Sequence, residues 1–255
     1  SCVGKLFEKC VHTHLYNFVT ANNILTPSQS GFVKGDSTIF QLLSIYNDYI
    51  LNFDRGLTTQ AIFFDLSKAF DKVWHRGLLL KLEAIGIGGS LLRFIENYLS
   101  DRFQSVVIKG ETSNAMPVTA GVPQGSVLGP LFFLIYINDI VENIEAVIKL
   151  FADDTSLSLG TDNFDIRTEI LNSDLQKIYN WAITWKLKFN EEKTELLNFK
   201  RGTAPIHDLI FGNVTLVESS SHKHLGLTLQ NDCRWGGHID SVARKVNMLI
   251  SCLTP

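Results

Sequence analysis

Two short apolar runs that end on carboxylates constrain this chain more than any other feature. QAIFF at 60–64 has the content of a buried strand and runs directly into Asp65. Between AVIKLF and TSLSLG, a turn at ADD places Asp153 and Asp154 at the tip of a hairpin expected over 146–160. Either site alone is ordinary, because Asp is common in turns and at helix starts. Two on neighbouring strands pose a physical problem: ionised carboxylates about 4 Å apart repel by roughly 4 kcal/mol at an effective dielectric near 20. A fold bears that when a cation bridges them or when one is protonated.

A pair of Mg²⁺ ions, with Mn²⁺ as an alternative, relieves the repulsion and supplies what phosphoryl transfer needs. In such a pair one ion would activate a primer 3′-hydroxyl and the other would hold a triphosphate and its leaving pyrophosphate. Between the two strands lies GVPQGSVLGP at 121–130, whose glycines let backbone approach a ligand closely. Gln124 and Gly125 are expected to form a shelf under a base pair, with Ser126 free to cap the next helix.

The 255 residues suffice for one sizeable core or two lobes that share one, and the longest apolar runs, such as LFFLIYI at 131–137, fall far short of the ~20 residues that span a bilayer. Cys2, Cys10, Cys233 and Cys252 form no CxxC pair and read as reduced intracellular thiols. The pairs His12/His14 and His222/His224 lack a second ligand pair at zinc-like spacing. A formal net charge of −3 weighs mildly against nucleic-acid binding, although bound cations would neutralise part of it. The opening SCVGKLFEKC without Met, and the ending SCLTP, read as a piece of a longer protein.

Periodicity predicts helices over 4–21, through Leu42 to Ile50, over 76–85 and 90–99, after GVPQGS, over 164–187 and from 238 onward. Strands are expected at 104–109 and 116–120, and short ones in ELLNFK, LIFG and LGLTL. Segregated helices and hairpins favour an α+β fold over an alternating doubly wound sheet.

In this order, the strings FFDLSKAFDKVWH at 63–75, GVPQGSVLGPLFFLIYINDI at 121–140 and LFADDTSL at 150–157 resemble the reverse transcriptases of non-LTR retrotransposons, of the jockey-like and CR1-like lineages. The resemblance implies a right-hand polymerase: fingers at 1–60, a palm at 61–231 with a fingers insertion near 76–115, and the start of a thumb at 232–255. It implies an RNA-directed DNA polymerase with an RNA template, a DNA primer and deoxynucleotides as partners, no membrane, and an intracellular setting, in that family the nucleus. Asp65, Asp153 and Asp154 take the place of the metal-binding catalytic carboxylates. Phe70 takes that of the aromatic gate against a 2′-hydroxyl, although composition alone reads it as packing beside Val73 and Trp74. FNEEKTELL at 189–197 makes Lys193 a general acid beside pyrophosphate; a solvated lysine in a charged turn is its plainer reading. HKHLGLTL at 222–229 resembles the primer-grip hairpin, with His224, Leu225 and Gly226 at the grip and both His222 and His224 as turn residues.

The loop SGFVKGDST departs from the family's GFRKGRST: Val33 and Asp36 replace two arginines, leaving Lys34 as the local cation for the triphosphate. FADD stands where other reverse transcriptases carry YADD, and Ala152 leaves room for the primer end. Two alternatives stay open: an inactive or domesticated nucleic-acid-binding remnant, and an RNA-templated RNA polymerase. Intact Asp65, Asp153 and Asp154 speak against the first, and an aromatic Phe70 against the second.

Overall fold

A computed structural model describes residues 2–200 and 208–253, so the ends of the expected fingers and thumb segments, Ser1 and residues 254 and 255, lie outside the described residues. Helix α1, Cys2–Ala21, gives way where Asn23 adopts φ 51°. Helix α2, Thr38–Asp54, begins at Ser37, whose hydroxyl accepts from the Phe40 N–H and so satisfies a donor that a first turn leaves orphaned. Strand β1, Thr58–Phe64, follows, then a 3₁₀ turn at Ala69–Lys72 and helices α3, His75–Ala84, and α4, Gly89–Leu99.

The two strands expected between 104 and 120 are reduced to a nested hairpin of two-residue pieces: β2, Phe103–Gln104, pairs with β5, Met116–Pro117, around β3, Val107–Ile108, and β4, Glu111–Thr112. Phe103, Val107, Ile108 and Met116 are all exposed, so no core face sustains a longer ladder, and Pro117 lacks an N–H to extend one. Helix α5, Gly129–Ile137, is buried on every side, and a 3₁₀ turn at Asn138–Val141 ends it. Strands β6, Val147–Phe151, and β7, Asp154–Thr161, form the expected hairpin. Helix α6, Phe164–Thr184, stops short of 187 because Lys186 turns to φ 55°. A 3₁₀ turn at Glu191–Lys193 leads into β8, Glu195–Phe199. The short strands β9, Ile210–Phe211, β10, Val214–Thr215, and β11, Glu218–Ser219, precede the hairpin of β12, Ser221–His224, and β13, Leu227–Gln230. Helix α7, Gly236–Leu253, comes last.

Five strands make the main sheet in the order β11, β8, β1, β7, β6, antiparallel except for the β11 and β8 pair. The central strand is covered on both faces, which is why it reads as continuous apolar sequence rather than as an alternation. Ile62 and Phe64 join the large core with Leu15, Phe132 and Leu175; Ala61 and Phe63 face a smaller core with Ile45, Tyr49 and Leu229. Helices thus back one face, while α2 and the β12–β13 hairpin cover the other. One buried cation ties the helical layer: Lys81 lies 2.5 Å from the Asp139 carboxylate and 3.8 Å from the centre of the Trp185 ring. Burial pulls its pKa down to about 8 against the opposing pull of Asp139. All four cysteines are unpaired, and among the described residues no helix is long and apolar enough to cross a membrane.

Candidate active site

The register of the sheet builds the site. Phe64 pairs with Thr155 across β1 and β7, so Asp65, one step beyond, stands opposite Asp154. On the other side of β7, Phe151 pairs with Asp154 and leaves Ala152 and Asp153 as a two-residue turn. Ala152 has φ 54°, the positive value that primed hairpin turns demand and usually obtain from glycine. Strand alternation carries Asp65 onto the same face as Phe63, the face covered by the β12–β13 hairpin.

The electrostatics follow from that proximity. The Asp153 carboxyl is raised above the ordinary aspartate value by burial and then by the charge of Asp65. Asp154 is raised by desolvation, by Asp153 and by Asp65, with His222 pulling the other way. Among the described residues no Lys or Arg forms an ion pair with any of the three, and no three His, Cys, Asp or Glu side chains converge into a preassembled metal cluster. The donors are hard carboxylate oxygens, mutually repelling and, among the described residues, paired to no Lys or Arg. Divalent ions such as Mg²⁺ suit that donor chemistry.

Around the carboxylates, two other motifs dock through their backbones. Val122 N–H donates to Phe70 O and Gly121 N–H to Val73 O, each at 2.8 Å, which lays the 121–125 loop along the 3₁₀ turn after Asp65. Gly121 is required here: at φ 91°, an added Cβ would stand 2.6 Å from Asp71 O. Gln124, exposed, donates from Nε2 to the Asp71 carboxylate at 2.8 Å, and Gly125 beside it has φ 74°. Ser126 Oγ accepts from Gly129 N–H at the first residue of α5, but the N-cap position itself falls to Leu128 rather than to Ser126. Phe70, half-buried, stacks on Phe133 at 4.4 Å and meets the exposed Phe32 edge-on at 6.2 Å.

Lys193 is exposed, in a 3₁₀ turn whose leading residue, Asn190, donates its N–H to Asp65 O at 2.7 Å. Lys34 lies in an exposed turn, its N–H donating to the Tyr16 hydroxyl at 2.8 Å. Lys193 thus sits on a segment bonded to Asp65, whereas the Lys34 turn is bonded to α1. The hairpin expected at HKHLGLTL is present, but His222 and His224 are not in its turn. Leu225 and Gly226 are, with φ 47° and 91°, the double positive of a type I′ loop. The histidines belong to β12: His222 stacks on Phe63 at 4.2 Å and bonds Glu195 through Nδ1 at 2.8 Å. His224 is buried beside the same ring, and burial then His222 push its pKa down to about 4. Two-residue I′ loops admit only two residues with φ above zero, and Leu-Gly supplies both, which forces the histidines back into strand.

Sequence reasoning missed three supporting residues. Gln29, buried, accepts with Oε1 from Ala152 N–H at 2.9 Å and from Gly31 N–H at 2.8 Å. Glu8, from α1, accepts with Oε2 from Val127 N–H at 2.7 Å, just ahead of α5, where a carboxylate also meets the helix dipole. Phe32 is the third. No local pattern announces a lone Gln or Glu whose bonds to Ala152 and Val127 span 119 residues or more. Phe32 had one available signal, its place beside the glycine of SGF.

A sheet with carboxylates at the ends of two adjacent antiparallel strands, helices behind it and a hairpin over its front is the palm of a right-hand polymerase. The chain belongs to the reverse transcriptase (RNA-dependent DNA polymerase) family, whose model matches residues 1–229. It is similar to the probable RNA-directed DNA polymerase from transposon BS of Drosophila melanogaster, at 30% identity over 96% of this chain and 28% of that protein. It is also similar to the RNA-directed DNA polymerase from mobile element jockey of the same fly, at 27% identity over 94% of this chain and 27% of that protein. The chain thus spans little more than a quarter of these relatives. Among solved structures, apo telomerase from Candida tropicalis superposes with a TM-score of 0.60 at 15% identity, covering 88% of this chain and 39% of that one. That likeness carries the fold. As a family, reverse transcriptases use divalent metals.

Proposed function

We propose that this chain is the catalytic core of a retrotransposon reverse transcriptase of non-LTR type, adding deoxynucleotides to the 3′-hydroxyl of a DNA primer on an RNA template. The observation that carries the reading is the register that sets Asp65 opposite Asp154 beside Asp153, with no basic side chain paired to them among the described residues.

Asp65, Asp153 and Asp154 would hold two Mg²⁺ ions, Mn²⁺ substituting. Bound there, the ions supply activation of the primer hydroxyl and neutralisation of the triphosphate. The chain's own groups do the rest. Phe70, braced from behind by Phe133, excludes a 2′-hydroxyl by bulk. Gln124 and Gly125 support the nascent base pair, and the bond from Gln124 to Asp71 fixes the side chain that does so. Lys193 protonates the departing pyrophosphate, and Lys34 meets the triphosphate from the fingers side. His224, Leu225 and Gly226 hold the primer, His224 by bracing the hairpin from within. Residues 1–60 serve as fingers, 61–231 as palm with an insertion near 76–115, and 232–255 as the start of the thumb. The relation to telomerase, one structure of which holds a fragment of telomeric RNA, favours an RNA template.

The test is primer extension on an RNA template with Mg²⁺, offering deoxy- and ribonucleotides separately, beside an Asp153→Ala control. Template-directed deoxynucleotide addition that the control lacks is the expected result. Equal extension by both proteins would sink the reading.

A further inference from the structure

We infer that Gln29 is a positioning residue for the catalytic turn, a clamp by which the 28–31 segment fixes the backbone from which Asp153 and Asp154 project. As a metal-site inference it rests on the function just proposed. Its structural half does not.

The turn needs outside support. Ala152 is a residue with a Cβ at φ 54°, a conformation that L-residues adopt at a penalty. A two-residue hairpin loop also leaves its first N–H outside the strand ladder, and in a buried residue that donor must find an acceptor. Gln29 provides one. Its Oε1 receives the Ala152 N–H at 2.9 Å and the Gly31 N–H at 2.8 Å, so a single carbonyl oxygen joins the two backbones.

The surrounding contacts make this a fitted joint. Ser30 N–H donates to Leu150 O at 2.9 Å and Leu150 N–H to Ser28 O at 2.8 Å, so residues 28–30 run as a short parallel edge beside β6. Gly31 then passes so close to the turn that an added Cβ would stand 2.2 Å from Ala152 N and 2.8 Å from the Phe151 carbonyl carbon. Gln29 is 4% exposed and, among the described residues, its Nε2 has no hydrogen-bond partner. The oxygen is the working end of the side chain. A carboxylate-bearing turn that must meet metal ions within a few tenths of an ångström gains from such bracing, as outer partners of metal ligands generally do.

The experiment combines amide exchange with Mn²⁺ binding, followed by the loss of the free-ion EPR signal, on the whole chain. In the wild type, the Ala152 and Gly31 amides should exchange slowly. Gln29→Met, which keeps the volume and removes the acceptor, should speed both by roughly tenfold or more. It should also weaken Mn²⁺ binding by roughly 10- to 100-fold. Gln29→Glu keeps an acceptor oxygen and should retain slow exchange at Ala152. Rapid exchange of Ala152 in the wild type overturns the clamp without recourse to any variant. So does a Gln29→Met protein with wild-type exchange and wild-type Mn²⁺ affinity. A wild type with a slow Ala152 amide that neither binds Mn²⁺ nor extends primers would leave the clamp standing and remove the polymerase reading instead.

Discussion

Phe70 stacks at 4.4 Å on Phe133 while remaining half-buried, so packing and selection load the same ring. The two can be separated by Phe70→Val. If the ring excludes a 2′-hydroxyl, kcat/KM for ribonucleotides should rise strongly while that for deoxynucleotides falls modestly, even as the melting temperature drops. A lowered melting temperature with an unchanged ratio assigns the ring to packing alone, where full truncation of a buried Phe costs about 3–5 kcal/mol. Asp153 invites the opposite expectation for stability. Its carboxyl is raised by burial and by Asp65, so the folded chain binds that proton more tightly than the unfolded one. The resulting contribution is fully present below the unfolded aspartate value and lost as pH rises through the folded one. At pH 7 without divalent ions, the ionised group therefore weighs against folding, and Asp153→Asn should melt higher than wild type. The gain should shrink toward pH 4 and on adding Mg²⁺ to the wild type, as thermal melts can follow. The carboxylates were legible in the sequence because each follows an apolar strand. Gln29 was not, because the bond that ties it to the carboxylate-bearing turn goes to a partner 123 positions away.

The β12–β13 hairpin illustrates how an element can be recognised and its parts misread. HKHLGLTL carries the hairpin, but which residues turn is decided by φ: Leu225 and Gly226 take the positive values, and the two histidines become a strand laid over Phe63. This makes His224 a structural sensor of pH. Burial, and then the charge of His222, hold its folded pKa at about 4, below the ordinary histidine value of about 6.5, so its contribution is present above that value and is lost as pH falls toward 4. His224→Phe should remove that acid-side loss, worth up to about 3 kcal/mol if the unfolded histidine titrates normally. Urea unfolding of both proteins at pH 7 and pH 4.5 measures it, and an equal pH slope in the two would refute the assignment. Helical periodicity located α1 to α4 and α6 because each has a buried stripe to encode; for α5 length and the preceding PQGS were the guide, and α7 carries its apolar residues at helical spacing although Ile239, Val242 and Val246 are exposed. The 103–117 hairpins were overdrawn for the converse reason: apolar residues there face solvent, and the alternation encodes no core.

At the scale of the molecule, the α+β class and the palm were readable because β1 announces itself as a strand buried on both faces. The order of strands was not, since nothing local says that β1 lies between β7 and β8. That order has a consequence for how the chain is made. Strand β1, seven residues without charge or proline, is bonded on one side to residues 155–161 and on the other to residues 195–199. During synthesis at ~5–20 residues per second, roughly 7 to 27 seconds separate its emergence from that of its last partner. Until β8 emerges, at least one edge of this uncharged, β-prone segment stands unpaired, the composition that self-associates. Soluble yield should accordingly respond to slower growth temperature or added holding chaperone, while the melting temperature of whatever protein is recovered stays the same. The strand that delivers Asp65 so firmly in the finished fold is the one that the ribosome leaves waiting longest.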